Sequence, residues 1–151
     1  MINLKDKLKG KVVMLCIGNI ERGDDGLGPR LAKMLKGRVP YEVIDAGVAP
    51  ENQTGVITRL KPDTIVIVDA VYFDGEPGDM KIFSGEDLGS GKISTHDVSP
   101  KLLIEYLKES TGAAIYVVSI KPQSNRFGQG LSLCVKKTLE RFVEQLENLQ
   151  C

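Results

Sequence analysis

VVMLCIGNIERGDDGLGPRLAKML, residues 12–35, reads as a strand, a glycine-rich loop and a helix in immediate succession. From Lys11 to Ile17 the residues are mostly apolar and β-branched, and Gly18 closes the run, the pattern of a strand buried on both faces. Leu27, Leu31, Met34 and Leu35 then fall on one helical stripe, with Pro29 in the first turn and Gly37 as a stop. A doubly buried strand followed by an amphipathic helix is the opening unit of an α/β fold.

The rest of the chain repeats that unit with one exception. YEVIDAG (41–47) predicts a second strand, and Glu51 to Leu60 a short, poorly periodic helix interrupted by Gly55. TIVIVDAV (64–71) is the most apolar run and the expected central strand. FDGEPGD (73–79) is dense in turn residues and leads into MKIF (80–83), too close for a helical crossover, so this strand is expected to run antiparallel to the one before it. Residues 84–97 read as a Gly- and Ser-rich loop, Pro100 to Ser110 as a helix, AAIYVVSI (113–120) as a fifth strand, and Leu131 to Leu149 as a closing amphipathic helix. The expectation is one domain over residues 1–151, a three-layer α/β/α sandwich on a five-stranded, mostly parallel sheet with one antiparallel strand.

Twenty basic and twenty acidic side chains cancel, which gives no general attraction to nucleic acid or to an anionic membrane. No window approaches the roughly 20 apolar residues of a membrane span, and no signal-peptide pattern opens the chain. Cys16, Cys134 and Cys151 form no CxxC pair and leave an odd count, which fits a reducing, cytoplasmic setting better than a disulfide framework. Cys16, inside VVMLCIG, reads as a small core residue, the alternative being a Cys/His nucleophile pair.

Chemistry is expected beyond the carboxyl ends of the strands, where the winding of such a sheet reverses. Acidic residues stand at three of those ends: Asp24 and Asp25 after the first strand, Asp45 after the second, Asp69 after the third. Each has a plain structural alternative, since Asp24 or Asp25 suits a helix cap and Asp45 or Asp69 a bond to loop amides. Gly18 and Gly23 have P-loop spacing, but Asp24 and Asp25 occupy the places of Lys and Ser/Thr, and G-x-G-x-x-G is absent. Two anions replace the cation a phosphate needs, leaving only a cation-bridged nucleotide as a route to that class. His96, the only histidine, lies in the polar segment KISTHDVSP; it is either a surface loop residue or the third member of a set with Asp25 and Asp69. Two carboxylates and an imidazole suit a divalent transition metal with positions left open.

GNIERGDDGLGPRLA, DAGVAPEN, IVIVDA and STHDVSP, in that order and spacing, resemble the hydrogenase maturation endopeptidases, which process the large subunit of nickel-iron hydrogenases. The likeness runs from about Lys11 to the closing helix, includes IKPQSNRFGQGLS, and is nearest to the formate hydrogenlyase-type and archaeal branch. It implies a phosphorylase/hydrolase-like mixed sheet whose first and third strands are neighbours. Carried over position by position, it implies that Asp25, Asp69 and His96 bind nickel or a substitute metal. The nickel would arrive with the substrate, a precursor large subunit whose short C-terminal tail is removed. Asp24, Asp45 and Asn19 are implied as substrate-contacting or supporting residues. DAG stands where many relatives have DGG, placing Ala46 at a glycine position, and Asp25 stands where some have Glu.

The resemblance further implies a cytoplasmic monomeric hydrolase, of a kind sometimes classed with aspartic peptidases, although no D-T/S-G pattern occurs. For the chemistry, nickel polarising the carbonyl or activating water stays beside a carboxylate base, Asp69 or Asp24. A non-proteolytic nickel chaperone and a small-molecule hydrolase, with Lys121 and Arg126 as anion contacts, stay open as alternatives.

Overall fold

The computed structural model describes residues 3–85 and 100–149. β1 (Val12–Ile17) and β3 (Thr64–Ala70) form the middle of the sheet, and every residue of β1 is buried. Such strands need apolar side chains on both faces because helices cover both. β2 (Glu42–Gly47) pairs with β1, β3 pairs with β1 and with β5 (Ala114–Ile120), and all these pairings are parallel. β4 (Met80–Ser84) pairs antiparallel with β5, giving the order β2-β1-β3-β5-β4.

Alternation along each strand separates two cores. Met14, Cys16, Val66 and Val68 face α1 (Leu27–Leu35) and α4 (Leu133–Asn148), which contribute Leu31 and Phe142. Leu15, Ile65 and Ile67 face the opposite way, packing with Ile57 of α2 (Thr54–Leu60) and Leu107 of α3 (Pro100–Thr111). Three layers result, as the sequence pattern predicts. From β1 the chain moves outward to β2, then returns to β3 on the other flank, so the winding reverses between β1 and β3.

Two details differ from the sequence pattern. Gly55 does not interrupt a helix: a 3-10 turn at Pro50–Gln53 leads directly into α2, with Gly55 in its first turn. A glycine in a helix costs about 1 kcal/mol relative to Ala, and complete burial of Ile57 offsets a cost of that size. The helix cap weighed as the structural alternative for Asp24 or Asp25 is not found either, since Gly26 is the N-cap of α1 and no side chain caps it.

β4 runs against β3 in direction, as expected, yet β5 lies between them. The connecting residues arch over the end of β5: Lys121 donates through Nζ to Gly75 O at 2.6 Å and through its backbone N–H to Asp79 O at 2.9 Å, and Gly78 N–H donates back to Lys121 O at 2.8 Å. These bonds span the gap that the fifth strand fills. Residues 86–99, and with them His96 and most of the expected 84–97 loop, lie outside the described residues.

Candidate active site

Gly18 ends β1 at φ +154, and a Cβ there would run into the carbonyl oxygen of Asp25. That close approach lets the loop fold back on itself: Asn19 N–H donates to Asp25 O at 2.9 Å, and Arg22 N–H to Asn19 O at 3.1 Å. The Asn19 side chain accepts from Glu21 N–H at 2.9 Å, so Asn19 shapes the loop from within. Gly28 lets α1 lie against β1, because a Cβ there would meet the carbonyl of Ile17. A 3-10 turn at Gly23–Gly26 presents the two aspartates to opposite sides of this construction.

Asp24 turns inward and is completely buried. Its Oδ2 accepts from the backbone N–H of Gln123 at 2.8 Å, from that of Ser124 at 3.0 Å and from Ser132 Oγ at 2.7 Å, while Oδ1 accepts from Ser132 N–H at 2.7 Å. Asp24 N–H donates in turn to Ser124 O at 2.7 Å. Ser132 is the N-cap of α4, so one carboxylate ties the β1 loop to the segment after β5 and to the start of the last helix. With both oxygens engaged and no exposed surface, Asp24 has no means of taking a proton from water; of the roles open to it in sequence, only a supporting one fits.

Asp25 is half-buried at the surface of the same turn, and Asp69, also half-buried, ends β3, the neighbour of β1. The 3-10 turn contacts β3. Asp69 Oδ1 accepts from Ala70 N–H at 2.8 Å, which fixes one oxygen toward the loop. Tyr72, three residues further on, was not singled out by sequence reasoning, although DAVY places a phenol one short loop from Asp69. Its pKa is raised above the ordinary phenol value by partial burial and then by the charges of Asp25 and Asp24. The phenol therefore keeps its proton through neutral pH and faces the acidic turn. Ser119, in register with Asp69 on β5, was also missed; it is fully buried and its Oγ has no hydrogen-bond partner. The third residue of the expected set, His96, lies outside the described residues, and among those described no group of three His, Cys, Asp or Glu residues is arranged to hold an ion.

Asp45 ends β2 with its Oδ1 accepting from Gly47 N–H at 3.0 Å, the loop-amide bond that sequence reasoning set beside a binding role. Its charge also acts on Cys16, its register partner on β1. Burial, and secondarily Asp45, push the Cys16 thiol up to about 12. The thiolate is the nucleophile, so Cys16 is expected to resist iodoacetamide in the native protein at pH 8 and to react once the chain is denatured, whereas half-buried Cys134 reacts before it. Peptide mass mapping of the alkylated protein checks this. Lys121, weighed as an anion contact, has its ammonium on Gly75 O instead.

The chain matches the family model described as hydrogenase maturation protease over residues 27–149. It is 36% identical over 140 residues to the hydrogenase 3 maturation protease of Escherichia coli strain K12, covering 89% of this chain and 88% of that protein. It is similar to the crystal structure of the NiFe hydrogenase maturation protease HycI from Thermococcus kodakarensis KOD1, with TM-score 0.87, 34% identity and 97% of each chain covered. The solution structure of the endopeptidase HycI from Escherichia coli aligns with TM-score 0.83 and 32% identity over 94% of this chain and 92% of that one.

Proposed function

The chain belongs to the hydrogenase maturation protease family, and from that premise we propose that Asp25, Asp69 and His96 read the nickel of a precursor large subunit and so place its scissile peptide for hydrolysis. The protein is a hydrolase, an endopeptidase acting in hydrogenase maturation. Its substrate is the precursor large subunit, and the product is that subunit without its C-terminal tail. The observation that carries the metal-reading part is the placement of Asp25 and Asp69 at the same end of neighbouring strands β1 and β3, where the winding reverses.

The donor chemistry supports it. Carboxylate oxygens and an imidazole nitrogen are acceptable to a borderline divalent ion that thiolates of the substrate already hold. Such an ion, arriving with the substrate, polarises a carbonyl or lowers the pKa of water. Hydrolysis adds the water oxygen to the scissile carbonyl carbon, breaks the C–N bond, and delivers a proton to the departing amine. Of the two carboxylates weighed as the base, Asp24 is spent on its four donors, and the role of accepting the water's proton is assigned to Asp69. Tyr72 supplies an O–H donor beside Asp25.

The test is to present purified precursor with and without nickel and to follow tail release by intact mass. Nickel-loaded precursor is expected to be cut at least about tenfold faster. Equal rates would refute nickel reading while leaving the endopeptidase itself in place. No helix among the described residues is long and apolar enough to cross a membrane.

A further inference from the structure

A groove of about 610 Å³ runs between α1 and β2. At one end it is bounded by Ile20, which belongs to the loop carrying Asp25, and by Asp45 at the end of β2; at the other it reaches Gly37 and Val39. It therefore begins beside the loop that leads into the acidic turn, where Ile20 lies against Gly26, and runs from there along β2. Its floor is apolar, with Tyr41 and Val43, and among the described residues β2 is an edge strand.

The α1 wall is cationic. Arg30, Lys33 and Lys36 recur at helical spacing and all line the groove. Among the described residues the ion pair present joins Arg38 to Glu147, and none of these three takes part in one. Arg30 Nε is buried without a hydrogen-bond partner. A buried donor left unpaired is costly, so an acceptor that enters the groove has something to gain. Among the described residues that line the groove, the one carboxylate, Asp45, already accepts from Gly47 N–H.

We infer that this groove receives the C-terminal tail of the precursor as an extended segment, with the tail's carboxylates, terminal or side-chain, on Arg30, Lys33 and Lys36. The inference rests on the endopeptidase reading above. It commits to the tail as occupant because the groove starts where the scissile bond would lie. An extended strand advances about 3.3 Å per residue, so the six residues of β2 run beside a comparable stretch of tail. Apolar tail side chains meet Tyr41 and Val43, and the anionic groups meet the helix. An edge strand beside a groove is a recurrent way of holding an extended peptide. The groove thus sets which precursor is accepted, while the acidic turn performs the same chemistry on any.

The experiment uses the double variant Lys33→Glu/Lys36→Glu, whose changes lie on the solvent side of α1 and leave Leu31 and Leu35 in the core. With nickel-loaded precursor at low salt, KM is expected to rise about tenfold and kcat to stay within about twofold of wild type. Added salt should raise the wild-type KM and leave that of the variant nearly unchanged. Fluorescence anisotropy with a synthetic tail peptide should show the same loss of affinity without any cleavage step. A precursor whose tail is cut short should raise the wild-type KM and add little in the variant. Unchanged KM and peptide affinity in the variant, effects of tail and variant that simply multiply, or displacement of the peptide by millimolar inorganic phosphate would each overturn the proposal. An Asp25→Asn enzyme that still cuts at the wild-type rate would refute the metal reading instead, and the peptide affinity would still decide the groove.

Discussion

Asp25→Asn and Asp69→Asn enzymes, and a His96→Ala enzyme, are each expected to lose about a thousandfold or more in tail removal while remaining folded. The Asn replacements keep the shape and remove the charge, so what they test is attraction to a cation and the ability to accept a proton. General base catalysis alone contributes about 10²–10⁴-fold, and loss of a fixed charge beside a reacting centre has an effect of similar size. Stability should be little changed because neither carboxylate lies in the core: Asp25 and Asp69 are half-buried, and the bond from Ala70 N–H to Asp69 can be kept by the amide oxygen of Asn. Intact-mass assays on nickel-loaded precursor measure the loss, and thermal unfolding measures the fold. A His96→Ala enzyme with wild-type activity would remove His96 from the set and leave the two carboxylates as the whole of it.

Asp24→Ala should behave in the opposite way, failing first in stability. Four donors converge on that buried carboxylate, and each would be left without an acceptor. A hydrogen bond to a charged group is worth about 1.5–3 kcal/mol, and part of the loss is recovered where relaxation admits water. A net destabilisation of about 4 kcal/mol is therefore expected, or a fall of roughly 8–16 °C in the melting midpoint for a domain of this size. Asp24→Asn should lie between, because its NH₂ group would face donors rather than acceptors. Scanning calorimetry separates the two variants from wild type. A melting midpoint within 2 °C of wild type for Asp24→Ala would show that the segment after β5 is held by other means.

Why the sequence foretold one aspartate's place and not the other's follows from what each touches. Asp69 was legible because it closes the apolar run of β3, and the pair Asp24 and Asp25 because they follow the apolar run of β1, while the choice of Asp25 between those two came from the family resemblance. Asp24 was legible only as an acidic neighbour, since its partners lie 99 to 108 residues further along and no local pattern reveals them. The position of β4 was hidden for a similar reason. Its direction follows from a short connection, but its neighbour is fixed by bonds from Lys121, which the chain reaches only after another helix and strand. The groove was invisible because it arises where α1 passes β2, and neither stretch is unusual by itself. Cys16 was read correctly as core, for the simple reason that a thiol amid β-branched neighbours on a doubly covered strand has nowhere else to be.

The reach of the Asp24 bonds also orders events in time. The turn that carries Asp24 and Asp25 is made about a hundred residues before the groups that fix it, at Gln123, Ser124 and Ser132. Contacts of such long sequence separation form late, because the intervening chain must first be ordered. A chain whose α4 has not yet been made therefore carries Asp25 on an unanchored loop, which is fixed only when that helix docks. On refolding from denaturant, activity should appear together with protection of the α4 amides from hydrogen exchange, after the central strands have already paired.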